Sequence, residues 1–213
     1  MSHTLHRSGT EESLKNDFPM LAMSAGGFNR DGSAPRLLEL AKIIVKYETA
    51  NAGIIGSTDK LTVENFDKVA KEFITDTDTA IIHAVFTSED ELVACLKELK
   101  QADLGISVVV SGLFDTVHEC CHKSGLEPHT INNSLGVWGN TEEKLPSDER
   151  IKDVSSMCGH GMIPFSLVED VAEKVKAGKL TPKQGAAKLT PTCTCHIFNP
   201  ERAERILNSF VEM

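Results

Sequence analysis

Strand-like apolar runs alternate with helical patterns through the first 130 residues, and this alternation limits the possible folds more than any other sequence feature. Strands are expected at 18–25, 53–56, 79–86 and 106–110, and the run at 129–131 is a candidate fifth strand. Between them, apolar residues recur at the three- and four-residue spacing of a helix. The sequence therefore predicts an α/β fold with a mostly parallel sheet of about five strands flanked by helices.

The pattern changes beyond Ser134, where only short helices are expected. Two of them have clear start signals, Thr181 followed by proline and Asn199 followed by proline. We therefore expect an α/β layer over residues 1–140 and a C-terminal cap of short helices over residues 141–213.

Charge and hydropathy narrow the class of protein. The formal net charge is −9, which disfavours nucleic acid or an anionic membrane as a partner, since both attract clustered Lys and Arg. No apolar run reaches the roughly 18 residues of a membrane span, and the first residues lack the pattern of a signal peptide. A cytoplasmic location is expected. Residues 1–17 are polar without periodicity, as in either an ordered arm or a frayed end.

The chain has six cysteines, and five of them follow residue 119. Cys158 lies in one loop of the cap, and Cys193 and Cys195 lie in another. In a reducing compartment, clustered thiols point to metal or redox chemistry more often than to disulfides. These three residues are the predicted core ligands of a metal centre, and unrelated buried thiols are the alternative.

A fourth ligand is expected from the helix after strand four. His118, Cys121 and His122 share one face of that helix, whereas Cys120 lies on the apolar face. We expect Cys121 to be the fourth sulfur, with Cys120 as the reserve. Four sulfurs suit a cubane [4Fe–4S] cluster, which is favoured narrowly, or a tetrahedral zinc ion.

Two histidines lie beside the cap thiols. Three roles are open for His160 and His196: ligands of the metal, hydrogen-bond donors to the metal-bound sulfurs, or carriers of protons. His83 lies within the third strand and is predicted to be a hydrogen-bonded core residue.

A second candidate site is the carboxyl-end rim of the predicted parallel sheet, where α/β proteins usually bind ligands. Hydroxyl groups and glycines there suit a polar or phosphorylated small molecule held at helix N-termini. Ordinary strand-to-helix turns are the alternative and are slightly favoured, because none of these segments forms a known phosphate-binding motif. The candidate rim residues are Ser24, Gly26, Gly27, Ser111 and Gly112.

Three functions follow from these patterns, and the sequence leaves catalytic turnover open. The first is an iron–sulfur protein that transfers electrons to a partner protein or performs redox chemistry on a small molecule at the rim. The second is a zinc enzyme or zinc-stabilised domain. The third is a thiol or metal sensor without catalysis. A homo-oligomer is compatible with each of them.

Overall fold

A computed structural model of the chain describes residues 7–128, 143 and 145–211. Four strands form one sheet in the order β2-β3-β1-β4, and every neighbouring pair is antiparallel. The strands are β1 Phe18–Met23, β2 Asn51–Ile54, β3 Ile81–Phe86 and β4 Ser107–Val110.

The predicted parallel sheet of about five strands is wrong, although the four predicted strand positions are confirmed. Helices α2 (Ala34–Ile44) and α4 (Glu89–Ala102) do form crossovers. Each crossover, however, skips one strand position. Strand β3 fills the gap between β1 and β2, and β1 fills the gap between β3 and β4. The result is two interleaved split βαβ units. The candidate strand at 129–131 lies outside the described residues.

The predicted helix starts at Thr181 and Asn199 are confirmed. Ser88 accepts a hydrogen bond from the Glu91 amide at the start of α4. Thr181 and Gln184 form a reciprocal capping box, and the Asn199 side chain accepts from the Arg202 amide. None of the helices in the described ranges is long and apolar enough to cross a membrane. The remaining helices are α1 Glu11–Leu14, α3 Phe66–Phe73, α5 Phe114–Lys123, α6 Glu149–Ser156, α7 Phe165–Lys176, α8 Pro182–Leu189 and α9 Pro200–Asn208, with a 3₁₀ turn at Thr190–Thr192.

One face of the sheet packs against α2, α4 and α5 and forms the first apolar cluster. Alternate residues of each strand point into it, because side chains alternate between the two faces of a strand. Two cysteines, Cys95 and Cys120, are packed there as small apolar residues. We call this group the sheet cluster; it includes Phe18, Met20, Ala22, Leu37, Leu40, Ile44, Ile54, Ile82, Ala84, Phe86, Leu92, Cys95, Leu96 and Cys120.

The C-terminal helices cover part of the opposite face and form a second apolar cluster. Val85 of β3 belongs to it, whereas its neighbours Ala84 and Phe86 point into the sheet cluster. The side-chain amide of Asn51 also donates to the Phe198 carbonyl at 3.1 Å, which links β2 to the cap. We call this group the cap cluster; it includes Val85, Ile151, Val154, Met157, Cys158, Ile163, Val168, Val171, Cys193, Cys195, Ile197, Phe198, Ala203 and Leu207.

Residues 7–17 are an ordered arm rather than a frayed end. Asp17 is fully buried and forms an ion pair with buried Arg202 at 3.0 Å. The Asn199 side chain donates to the other Asp17 oxygen, also at 3.0 Å. The arm is thus joined to the first turn of α9 by charged hydrogen bonds, which are stronger than neutral ones.

Candidate thiol and imidazole site

The two cysteine-bearing loops meet within the cap cluster. Cys158 follows the end of α6, and Cys193 and Cys195 lie between the 3₁₀ turn and α9. All three residues are at most 5% exposed. The thiols that the sequence singles out therefore share one buried environment, although the loops are far apart in the chain.

Cys158 and Cys193 lie close enough for each thiol to shift the pKa of the other. The Cys193 thiol and the backbone amides of Met162 and His160 donate to the Cys158 sulfur and hold the pKa of Cys158 well below its ordinary value, although burial opposes this. The same hydrogen bond and burial raise the pKa of Cys193. The pair therefore favours sharing one proton, and the amides of Met162 and His160 favour the negative charge on the Cys158 sulfur.

Cys195 and His160 form a second close pair. The Cys195 sulfur lies 3.2 Å from Nδ1 of His160, and His160 itself is exposed. Burial raises the pKa of Cys195, and the neighbouring charge of Cys158 raises it further. The three thiols and the His160 imidazole are therefore arranged as two close pairs. The charge of Cys158 in one pair acts on Cys195 in the other.

Within the described residues, the side chains are not arranged as the ligands of a single metal ion. Across residues 7–128, 143 and 145–211, no group of three or more His, Cys, Asp and Glu side chains is placed so that it could hold one metal ion. All six cysteines are free thiols. The sulfurs are thus available as ligands or as redox groups.

Arg7 contacts both cysteine loops. Its Nη1 donates to the Met157 carbonyl at 3.0 Å, and its Nη2 donates to the Ile197 carbonyl. Its Nε lies 3.2 Å from a carboxylate oxygen of Asp17. Burial lowers the pKa of Arg7, and the Asp17 carboxylate opposes this shift. Sequence reasoning missed Arg7, because it lies in a polar segment without periodicity.

His196 anchors the second loop to the sheet. Its Nε2 lies 2.6 Å from the Ser57 carbonyl just after β2. A carbonyl only accepts, so Nε2 carries a proton and donates it to this carbonyl. The residue has a positive φ of 56°, and a Cβ added at Gly53 would overlap its ring. The backbone of β2 thus needs glycine at this point.

The α5 residues expected near the metal lie elsewhere. Cys120 packs in the sheet cluster. His118 and Cys121 line a groove of about 680 Å³ beside β4. His122 is exposed, and its Nδ1 lies 3.8 Å from Glu127. The structure therefore places His160, rather than Cys121, beside the cap thiols.

The candidate rim residues are split between the two ends of the sheet. Met23 at the end of β1 pairs with Ser107 at the start of β4. The Ser24–Gly27 turn therefore lies at the opposite end from Ser111 and Gly112. An antiparallel sheet has no edge at which the carboxyl ends of all its strands meet.

In the segment after β1, protein groups already bind the polar atoms of Ser24 and of the start of α2. The Asp78 carboxylate accepts from the amides of Gly32 and Ala34 at 2.9 and 2.8 Å, at the start of α2. Ser24 donates to the Asp78 carbonyl at 2.5 Å. A Cβ added at Gly112 would lie 2.9 Å from Val117, so that glycine permits close packing.

Comparison with protein-family models, curated protein sequences and solved structures found no match to the chain. The functional inference therefore depends on the chemistry of the thiol site itself.

Proposed function

We propose that Cys158, Cys193, Cys195 and His160 hold an iron–sulfur cluster and that the protein transfers electrons through it. The observation that carries this proposal is the meeting of four soft or borderline donors from two distant loops, arranged as two close pairs. Thiolates and imidazoles are the ligands that such clusters use.

The environment of the sulfurs favours the anionic form that a metal requires. Hydrogen bonds from the Cys193 thiol and two backbone amides stabilise the Cys158 thiolate. The positive charge of buried Arg7 lies close enough to act on both Cys158 and Cys193. This charge lowers the cost of gathering anionic sulfurs away from water.

The pairing of the donors favours two metal positions over one. Each iron of a [2Fe–2S] cluster takes two protein ligands, and histidine can replace cysteine on one iron. Cys158 with Cys193 would serve one iron, and Cys195 with His160 the other. A single zinc ion instead needs four donors around one point. The proposal thus keeps iron–sulfur ahead of zinc and replaces the cubane cluster and Cys121 with a two-iron centre.

The exposed imidazole suggests how the centre would exchange electrons. His160 is the one donor of the four that reaches solvent. A redox partner protein or a small molecule would approach the centre there, and a histidine can also couple electron and proton transfer. Free thiols and the absence of disulfides among these cysteines fit a cytoplasmic location, which is part of the same proposal.

The test is metal analysis of the full chain purified without oxygen. We expect iron and acid-labile sulfide in equal amounts, about two of each per chain, with visible absorption that bleaches in air. Cys158→Ala and Cys193→Ala should remove the colour and the iron. Cys95→Ala and Cys120→Ala, which change buried thiols of the sheet cluster, are matched controls that should retain both.

Two results would contradict the proposal. Stoichiometric zinc without iron would assign the site to the zinc alternative. Full iron content in Cys158→Ala and Cys193→Ala would remove these residues from the ligand set.

A second candidate function is a redox-active dithiol, and the close approach of the Cys158 and Cys193 thiols, each of which shifts the pKa of the other, favours it. The Cys158 thiolate would attack a hydroperoxide, break the O–O bond and form a sulfenic acid as the alcohol or water leaves. The Cys193 thiol would then attack that sulfur, releasing water and forming a disulfide. An external dithiol would reduce the disulfide and be oxidised in its place.

The dithiol candidate is tested on metal-free protein. One equivalent of hydroperoxide should form a disulfide between Cys158 and Cys193 and restore the dithiol on addition of a reductant. In Cys193→Ala the sulfenic acid should persist and be trapped by a dimedone-type reagent. Lack of the disulfide in a chain that remains folded would exclude this candidate.

A further inference from the structure

Arg7 is the one described side chain that donates hydrogen bonds to both cysteine loops. Its two terminal nitrogens bind the carbonyls of Met157 and Ile197. Met157 directly precedes Cys158, and Ile197 follows Cys195 by two positions. A single planar guanidinium therefore spans the gap between the two backbones that present the sulfurs, and its fixed fork geometry sets their separation.

A buried charge network holds Arg7 in place. Asp17 pairs with Arg7 at 3.2 Å and with Arg202 at 3.0 Å. Arg202 also donates from Nε to the Ser13 hydroxyl at 2.9 Å and from Nη2 to the Ser8 carbonyl. Residues 7–17 are therefore attached to α9 at several points, and we call them the docking segment.

The network carries more positive than negative charge. Two buried guanidinium groups share one carboxylate, so one positive charge lacks a partner within the network. Arg7 is also the member whose charge acts on Cys158 and Cys193. Buried charges are stable only when they are paired, so a docked segment favours negative charge at the thiol site.

We propose that the docking segment closes the thiol site through Arg7, so that docking of residues 7–17 and closure of the two cysteine loops are one coupled equilibrium. Arg7 acts as a positioning residue: it binds loop carbonyls and does not ligate. Coupling is reciprocal. An anionic occupant of the site would tighten the docked segment, and a partner that captured the segment would open the site. The inference does not depend on which occupant the site has.

The test is site-resolved alkylation of the metal-free, reduced chain under native conditions. We compare wild type with Arg7→Met and Arg7→Lys, and Arg36→Met is the matched control. Arg36 also joins loop carbonyls, those of Asn29 at 2.5 Å and Leu104 at 3.4 Å, but on the sheet side. Cys120 and Cys121 share one peptide and Cys193 and Cys195 share another, so fragmentation mass spectrometry is used to give a separate rate for each of the six cysteines.

Arg7→Met should speed alkylation of Cys158, Cys193 and Cys195 by about tenfold to a hundredfold, the equilibrium factor of one or two lost charged hydrogen bonds. Cys95 and Cys120 in the sheet cluster should keep their wild-type rates. Arg7→Lys retains the charge but cannot span both carbonyls, so its rates should lie between those of wild type and Arg7→Met.

The pattern of rates separates positioning from general destabilisation. If Arg7 only supported the fold, Cys95 and Cys120 would be alkylated faster together with the cap thiols. That uniform increase, or unchanged rates at all three cap thiols in both Arg7 variants, would overturn the proposal. Arg36→Met should leave the three cap thiols at their wild-type rates. Because metal is removed beforehand, none of these outcomes depends on the iron–sulfur proposal.

Discussion

The sheet cluster and the cap cluster both bury cysteines, but they do so in different chemical settings. Cys95 and Cys120 in the sheet cluster contact apolar side chains, and burial raises their pKa values to about 12 and about 11. Cys158 and Cys193 in the cap cluster contact each other and backbone amides, which shifts their pKa values in opposite directions. Burial alone therefore keeps a thiol inert, whereas burial beside donors and a second thiol prepares it for chemistry.

The two regions also differ in what holds them together. The sheet cluster depends on apolar residues that strands and helices place by their own periodicity. The cap cluster includes Val85 of β3 and is also fastened to the rest of the chain by polar contacts: the Arg7–Asp17–Arg202 network, the Asn51–Phe198 hydrogen bond and the His196–Ser57 contact. Replacing the polar residues of these contacts should therefore destabilise the cap more selectively than replacing apolar core residues.

The largest effect is expected from Asp17→Asn. This change removes the only carboxylate of the buried network and leaves Arg7 and Arg202 without a counter-charge. The free energy of unfolding should fall by about 3–5 kcal/mol, as measured by urea denaturation. Asp31→Asn, at an exposed loop position, is the control and should change it by less than about 0.5 kcal/mol. Equal small losses in both variants would show that the network contributes little.

Gly53→Ala should have the next largest effect. The added methyl would overlap the His196 ring, so the second cysteine loop must shift away from β2. We expect a loss of about 1–3 kcal/mol, the usual cost of overpacking. Gly26→Ala is the control, because its methyl would meet only the flexible end of Arg30 at 3.4 Å. A Gly53→Ala variant as stable as the control would show that the loop does not lie against the strand.

Asn199→Ala and Thr181→Ala compare a buried helix cap with an exposed one. Asn199 caps α9 and also binds Asp17, whereas Thr181 caps only α8. Loss of a cap costs about 0.5–2 kcal/mol. Asn199→Ala should lie at the upper end of that range and Thr181→Ala at the lower end in the same denaturation assay. The reverse order would contradict the importance assigned to the docking segment.

The last comparison concerns how the stability of the metal-free protein depends on pH. The folded pKa of Cys158 is depressed, so its stabilising contribution is complete above the unfolded thiol value of 9.0. That contribution decreases as the pH falls from there toward the folded pKa. Cys193 has a raised pKa, and its contribution is instead lost as the pH rises through that higher value.

Variants isolate this dependence on the acid side. Wild type should become less stable as the pH falls below 9.0, because the Cys158 thiolate is protonated. This part of the decrease should be absent in Cys158→Ser. Cys95→Ser should follow the wild-type profile, because Cys95 stays protonated throughout that range. Parallel profiles for wild type and Cys158→Ser would show that Cys158 carries no depressed pKa.

Local signals in the sequence predicted the elements better than their arrangement. Strand positions and the caps at Thr181 and Asn199 depend on neighbouring residues, and the structure confirms them. Strand direction depends on whether a crossover leaves a gap for a later strand. That choice involves residues far apart in the chain, so alternation alone predicted a parallel sheet. In the structure, β3 and β1 fill the gaps left by the crossovers, and the sheet is antiparallel.

In the candidate site too, local sequence signals identified individual residues but not how distant segments come together. The rarity of cysteine and the loop positions of Cys158, Cys193 and Cys195 predicted which thiols to consider. Helical geometry also separated Cys120 from Cys121 correctly, but it could not tell that α5 lies against α4 and β4 rather than against the cap. Arg7 had no local signal, since its importance arises from two carbonyls about 150 and 190 positions away.

Disulfide mapping of the metal-free chain after mild oxidation tests most directly whether the two cap loops form one centre. One linked pair of peptides should dominate, joining Cys158 to Cys193, and it should vanish when the chain is oxidised in denaturant. A native map in which Cys158 remains free, or pairs with Cys120 or Cys121, would contradict the account.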